Sequence, residues 1–116
     1  MAHKIERINE LIRQELGKII LEEEEMEPGI LATIMAVDCS QDLRHSNITL
    51  SVFPSEKGPT ILKRLDSHIF NLQQKLNKKL KMNPVPKIRF ILTLAESESQ
   101  KIDALIEKTK YENNKT

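Results

Sequence analysis

Ser40, Asp42 and His45 bring together, within six positions, the hydroxyl, carboxylate and imidazole that a nucleophilic hydrolase uses. All three fall in one polar connection, Ser40-Gln41-Asp42-Leu43-Arg44-His45-Ser46, which has no oxyanion-hole context, so the trio reads as turn chemistry. His3, His45, His68 and the single cysteine, Cys39, are too scattered for zinc-ligand spacing, and no metal or other cofactor is expected. Gly17, Gly29 and Gly58 are isolated and cannot make a phosphate-cradling loop, which excludes nucleotide hydrolysis. What remains is charge. Residues 59–90 hold eight Lys and Arg against one acid, Asp66, in a 116-residue chain whose net charge is only +1. Such a run suits a polyanion, because Lys and Arg displace the counterions condensed on a phosphate backbone. The plain alternative is solubility, and the sign bias weighs against it.

The elements that must carry these cations follow from apolar spacing. Ile5, Ile8, Leu11, Ile12, Leu16, Ile19 and Ile20 recur at three- and four-residue steps and predict a helix over about residues 4–24. Its wet side pairs Glu10 with Arg13 and Gln14 with Lys18. The acidic run Glu22 to Glu25 opposes the helix macrodipole and predicts a frayed end before Pro28-Gly29. Residues 32–39 and 47–53 read as strands joined by the polar connection into an antiparallel hairpin, and Pro54 closes the second. Gly58-Pro59 opens a second helical segment with Leu62, Leu65, Ile69, Leu72, Leu76 and Leu80 on one face. At about 100° per residue, Arg64, His68, Asn71, Lys75 and Lys78 fall on the other side, with Lys79 at its edge. Asn83-Pro84-Val85-Pro86 stops that helix, and Ile88, Phe90, Leu92 and Leu94 alternate as a third strand whose first outward residues are Lys87 and Arg89. Ser97 and Gln100 mark a capping box for a short helix bearing Ile102, Leu105 and Ile106, with a disordered tail over 109–116.

One domain over residues 1–108 suits this length. A strand, helix, strand step favours a right-handed parallel crossover, so strand two is central, antiparallel to strand one and parallel to strand three. The expected class is therefore α+β with a three-stranded mixed sheet under helices on one face, the topology of a type II KH domain. The leucine row reads as core rather than a coiled-coil seam, which predicts a monomer. A lone cysteine and an N-terminus without an apolar run predict a reducing, cytoplasmic setting, and no stretch suits a membrane span.

The chain resembles the ribosome-binding factor A family. The resemblance rests on Arg7-Ile8 and Gln14-Glu15 in the first helix, the Ser40-Gln41-Asp42-Leu43 turn between two strands, and the basic helix running into Pro86-Lys87-Ile88-Arg89-Phe90. Glu96-Ser97 and the amphipathic end Ile102 to Ile106 extend it over roughly residues 4–108. It implies a non-enzymatic factor that binds the immature small ribosomal subunit and its ribosomal RNA. The same resemblance implies late rRNA maturation, association with free subunits rather than complete ribosomes, and often a link to growth in the cold. The chain departs from the family's pattern at two places. His68-Ile69-Phe70 stands where the family tends to have an Ala-x-Gly kink, so helical bonding is expected to continue through 68–70, with any break nearer Asn77 or Asn83-Pro84. Met26-Glu27-Pro28-Gly29 replaces an Asp-Pro-Arg turn and loses its basic residue.

The candidate RNA-binding residues are Arg64, Lys75, Lys78, Lys79, Lys81, Lys87 and Arg89, joined by Arg44 and His45 from the hairpin loop. Two other partners fit the same charge pattern: a different structured RNA, or an acidic protein docking on the basic face.

Overall fold

Ile8, Ile12, Leu16, Ile19 and Ile20 are all buried along one side of the first helix, α1 (Ala2–Glu23), as their spacing requires. A computed structural model describes residues 2–93. The capping-box helix beginning at Ser97, the tail over 109–116 and Leu94 lie outside the described residues.

Gly29, at φ 90°, turns the chain from α1 into the sheet, a backbone conformation that a side chain would strain. β1 (Leu31–Cys39) pairs antiparallel with β2 (His45–Phe53), with a register shift between Ile34 and Ala36. β2 pairs parallel with β3 (Lys87–Leu92), giving the order β1-β2-β3 with β2 central. The intervening crossover is a 3-10 turn (Ser55–Lys57), α2 (Gly58–Ser67) and α3 (Ile69–Lys79). This is the α-β-β-α-α-β order of a type II KH domain.

One face of the sheet meets the helices. Ile48, Leu50 and Val52 of β2 and Ile88 and Phe90 of β3 form a continuous core with the apolar face of α1 and with Ile61, Leu65, Leu72, Leu76 and Leu80. The other face carries His45, Asn47, Lys87 and Arg89 on its polar half, all exposed. Strand alternation produces that division, because paired residues on neighbouring strands share a face.

Two expectations fail here. The central helix does not run through 68–70: it breaks at His68, which ends α2 and begins α3 with φ −106° and ψ 11°. That bridge-region backbone is open to any L-residue, so the break needs neither Ala nor Gly. Packing supplies the reason for it. α2 lies mainly on β3 whereas α3 lies mainly on α1, and one straight helix would not bury Ile61 and Leu65 together with Leu72 and Leu76 against those two different neighbours. The acidic run is the second correction, for Glu22 and Glu23 are helical, the Glu24 N–H donates to the Ile20 carbonyl at 2.9 Å, and Glu24 is buried.

Candidate nucleic-acid interface

The Ser40 hydroxyl organises the turn between β1 and β2. It donates to Asp42 Oδ1 at 2.6 Å and accepts the backbone N–H groups of Arg44 and His45 at 3.2 and 3.1 Å. Asp42 Oδ1 also accepts the Arg44 N–H at 3.1 Å, and the Leu43 N–H donates to the Ser40 carbonyl at 2.9 Å. Leu43 itself adopts φ 58° and tucks its side chain against the core. These bonds to Ser40 and to the Arg44 N–H hold the Asp42 carboxyl below the usual carboxylate range. The hydrolase-like trio is thus a turn scaffold: its serine and acid are spent on backbone, and the His45 side chain points from the open sheet face.

The product of this turn is a set of cations in register. The Arg44 carbonyl accepts the Lys87 N–H at 2.9 Å, His45 is opposite Lys87, and Asn47 is opposite Arg89. Gln73 fixes the neighbouring helix to the same place, donating to the Pro86 carbonyl at 3.1 Å and accepting the Ile88 N–H at 2.9 Å. α3 therefore ends beside the start of β3, with Lys78 and Lys79 in its last turn and Lys81 just beyond, all exposed. Cations there also suit the negative end of the helix macrodipole. Lys78, Lys79, Lys81, Lys87 and Arg89 form no salt bridge among the described residues. Arg44 makes only a 4.0 Å surface contact with Asp42.

Arg64 and Lys75 behave differently. The Arg64 Nε lies 3.4 Å from Oε1 of Glu24, and its guanidinium also donates to the Glu25 carbonyl. His68 Nδ1 lies 2.8 Å from Oε2 of the same carboxylate, whose side chain is 2% exposed. Lys75 Nζ lies 3.3 Å from Glu23. The acidic end of α1 therefore neutralises the α2–α3 junction, and the sequence-predicted stripe divides in two. One part, from Lys78 to Arg89 with Arg44, faces solvent with no salt bridge shorter than 4.0 Å among the described residues, and His45 lies beside it. The other part, Arg64 and Lys75 with His68, is engaged in holding α1 to the helix break.

Two residues outside the sequence-predicted set complete the picture. Lys4 and Arg7, on the exposed side of α1, line a groove of about 1020 Å³ together with Leu11, Leu43, Met82 and Pro84. Nothing in a linear charge count joins them to the stripe, since residues 1–30 are acidic as a block. Gln73 was likewise silent, being a polar residue in a helix with no pattern of its own. Among the described residues no group of His, Cys, Asp and Glu is placed to hold a metal ion, and no helix is long and apolar enough to cross a membrane.

The sequence profile of the ribosome-binding factor A family matches residues 4–106. Ribosome-binding factor A of Pelagibacter ubique is 30% identical over 106 residues, covering 89% of this chain and 87% of that protein. Its counterpart in Pseudomonas putida is 30% identical over 108 residues, covering 90% and 82%. Among solved structures, ribosome-binding factor A from Thermus thermophilus superimposes with a TM-score of 0.64 at 22% identity, over 76% of this chain and 94% of that one. A Thermotoga maritima protein described as a ribosome binding factor A gives 0.57 at 21% identity, over 78% and 83%. The fold is shared across these distances.

Proposed function

Because the chain belongs to the ribosome-binding factor A family, we propose that it is a non-enzymatic assembly factor that binds the immature small ribosomal subunit through its rRNA and assists late rRNA maturation. The observation that carries this reading is the gathering of Lys78, Lys79, Lys81, Lys87 and Arg89 at one end of the molecule without acidic partners among the described residues. Lysines without partners keep their charge for phosphate, and the open sheet face beside them gives a duplex or a strand room to lie. Arg44 and His45 extend the patch from the β1–β2 turn. With few aromatic side chains for stacking, contact runs mainly to phosphate and sugar and positions the protein by RNA shape.

Cosedimentation with purified immature and mature small subunits tests the reading. Lys78→Glu combined with Lys87→Glu is expected to weaken association with the immature subunit at least tenfold while circular dichroism and the thermal midpoint stay near wild type, both side chains being exposed. Undiminished association of the folded double variant would remove this patch from the interface. Competition by an acidic protein as effective as that by rRNA would replace the RNA reading with a protein one.

A further inference from the structure

The groove between the N-terminal half of α1, the Asp42–Leu43 turn and the Met82–Pro84 connection is built from three separate parts of the chain, and the basic patch does not use it. Its wall is apolar, from Ile8, Leu11, Leu43, Met82 and Pro84, and Leu11 is 41% exposed there although it belongs to the apolar series of α1. Its rim carries two cations, Lys4 and Arg7, and two acids, Glu10 and Asp42. The acids are already engaged. Glu10 accepts from Arg13 Nε and Gln14 Nε2, each at 3.0 Å, and Asp42 accepts from Ser40 and the Arg44 N–H. Both carboxyls are held below their ordinary range by those bonds. Glu10 pairs with Arg13, whereas Lys4 and Arg7 have no salt bridge among the described residues, so two free cations outweigh the one remaining carboxylate, Asp42, and the rim is net positive.

Position decides which anion fits. The Met82–Pro84 wall directly follows Lys81, and the Asp42–Leu43 wall directly precedes Arg44, so the groove opens off the same end of the molecule as the basic patch. An RNA strand lying on the patch is therefore next to the groove, and the one carboxylate it passes, Asp42, has Arg44 at 4.0 Å. We propose that this groove accepts unpaired nucleotides of single-stranded RNA. Bases rest on the Leu11, Leu43 and Met82 wall, Lys4 and Arg7 hold the adjoining phosphates, and the Asn83 amide lies within the groove for a base edge. The Arg7 guanidinium also offers a plane for stacking, a use of arginine suited to a site without aromatic rings.

This inference rests on the RNA reading above, and the test separates the two. The isotopically labelled full chain is titrated with a mixed-sequence single-stranded hexaribonucleotide, and the Arg7→Ala and Leu11→Asp variants are compared in the same titration and in subunit cosedimentation. Both replaced side chains are exposed, and circular dichroism confirms folding. The expected result is that the amides of Ile8, Leu11, Leu43 and Met82 shift in the wild type and that each variant loses at least fivefold in oligonucleotide affinity. Shifts confined to Lys78–Arg89, or unchanged affinity in folded Leu11→Asp, would overturn the groove and leave the basic patch standing. Groove shifts without any cosedimentation would uphold the groove and overturn the subunit reading. Preferential filling of the groove by an acidic amphipathic peptide would overturn it in favour of a protein partner.

Discussion

Glu24 is the side chain that ties the end of α1 most directly to the helix break. A carboxylate with 2% exposure is stable as an ion only when paired, and its partners come from Arg64 and His68 across the chain. Arg64→Ala removes one of them and leaves the buried charge to His68, so the expected loss is about 1–3 kcal/mol. Lys78→Ala, at an exposed cation without a salt bridge among the described residues, should stay within about 0.5 kcal/mol of wild type. Urea denaturation of both variants measures the difference, and equal stabilities would show that Glu24 gains nothing from the guanidinium. Asp42 makes a second, pH-dependent statement. Its carboxyl is lowered in the folded state, so its contribution is present above the ordinary aspartate pKa and fades as pH falls through the lowered folded value. The Arg44 and His45 amide resonances should report that titration at acid pH, and Asp42→Ala should abolish it. An unchanged acid titration of those resonances in Asp42→Ala would assign it to another group.

At the scale of elements, most of the architecture was legible because burial imposes a period. The α1 stripe, the alternation of β2 and β3 and the Pro54, Gly58-Pro59 and Pro84-Val85-Pro86 punctuation identify the elements and their order, and the crossover rule identifies the sheet. The helix break was not legible, since His68, Ile69 and Phe70 all tolerate helix and the cause lies in where α2 and α3 must pack. The fate of the stripe was hidden for a related reason. A count of charges along a window cannot see Glu23 and Glu24 arriving from another helix, 44 residues before His68 in the case of Glu24. The same fact corrects an otherwise natural probe of binding: Lys75 is half-buried against Glu23, so Lys75→Glu sets like charges together and disturbs the α1–α3 contact as well as any RNA contact. The break itself predicts an exchange pattern. Ile69 and Phe70 begin α3, where backbone N–H groups lack intrahelical acceptors, whereas the Leu72 N–H donates to the His68 carbonyl at 3.0 Å. Amide exchange at Ile69 and Phe70 should be faster than at Leu72 and Leu76. Uniform protection from Leu65 through Leu76 would mean a continuous helix in solution.

Across the whole molecule, a nearly neutral protein gains a positive end by folding its acidic segment onto part of its basic one. Placing Glu23 and Glu24, at the end of α1, against Lys75 and Arg64 cancels charge at the helix junction and leaves Lys78 to Arg89 without a salt bridge among the described residues. Salt dependence distinguishes the two groups of cations, because each phosphate contact releases condensed counterions whereas an internal ion pair does not. For subunit binding measured over a range of salt, loss of one phosphate contact should reduce the slope of log K against log salt by about 0.7–0.9. Lys78→Ala, Lys81→Ala, Lys87→Ala and Arg89→Ala should each do so. Arg64→Ala should lower stability and leave the slope of the folded fraction unchanged, because its charge is committed to Glu24 before RNA arrives. A reduced slope for folded Arg64→Ala would show that Arg64 exchanges Glu24 for phosphate on binding, and the junction would then belong to the interface.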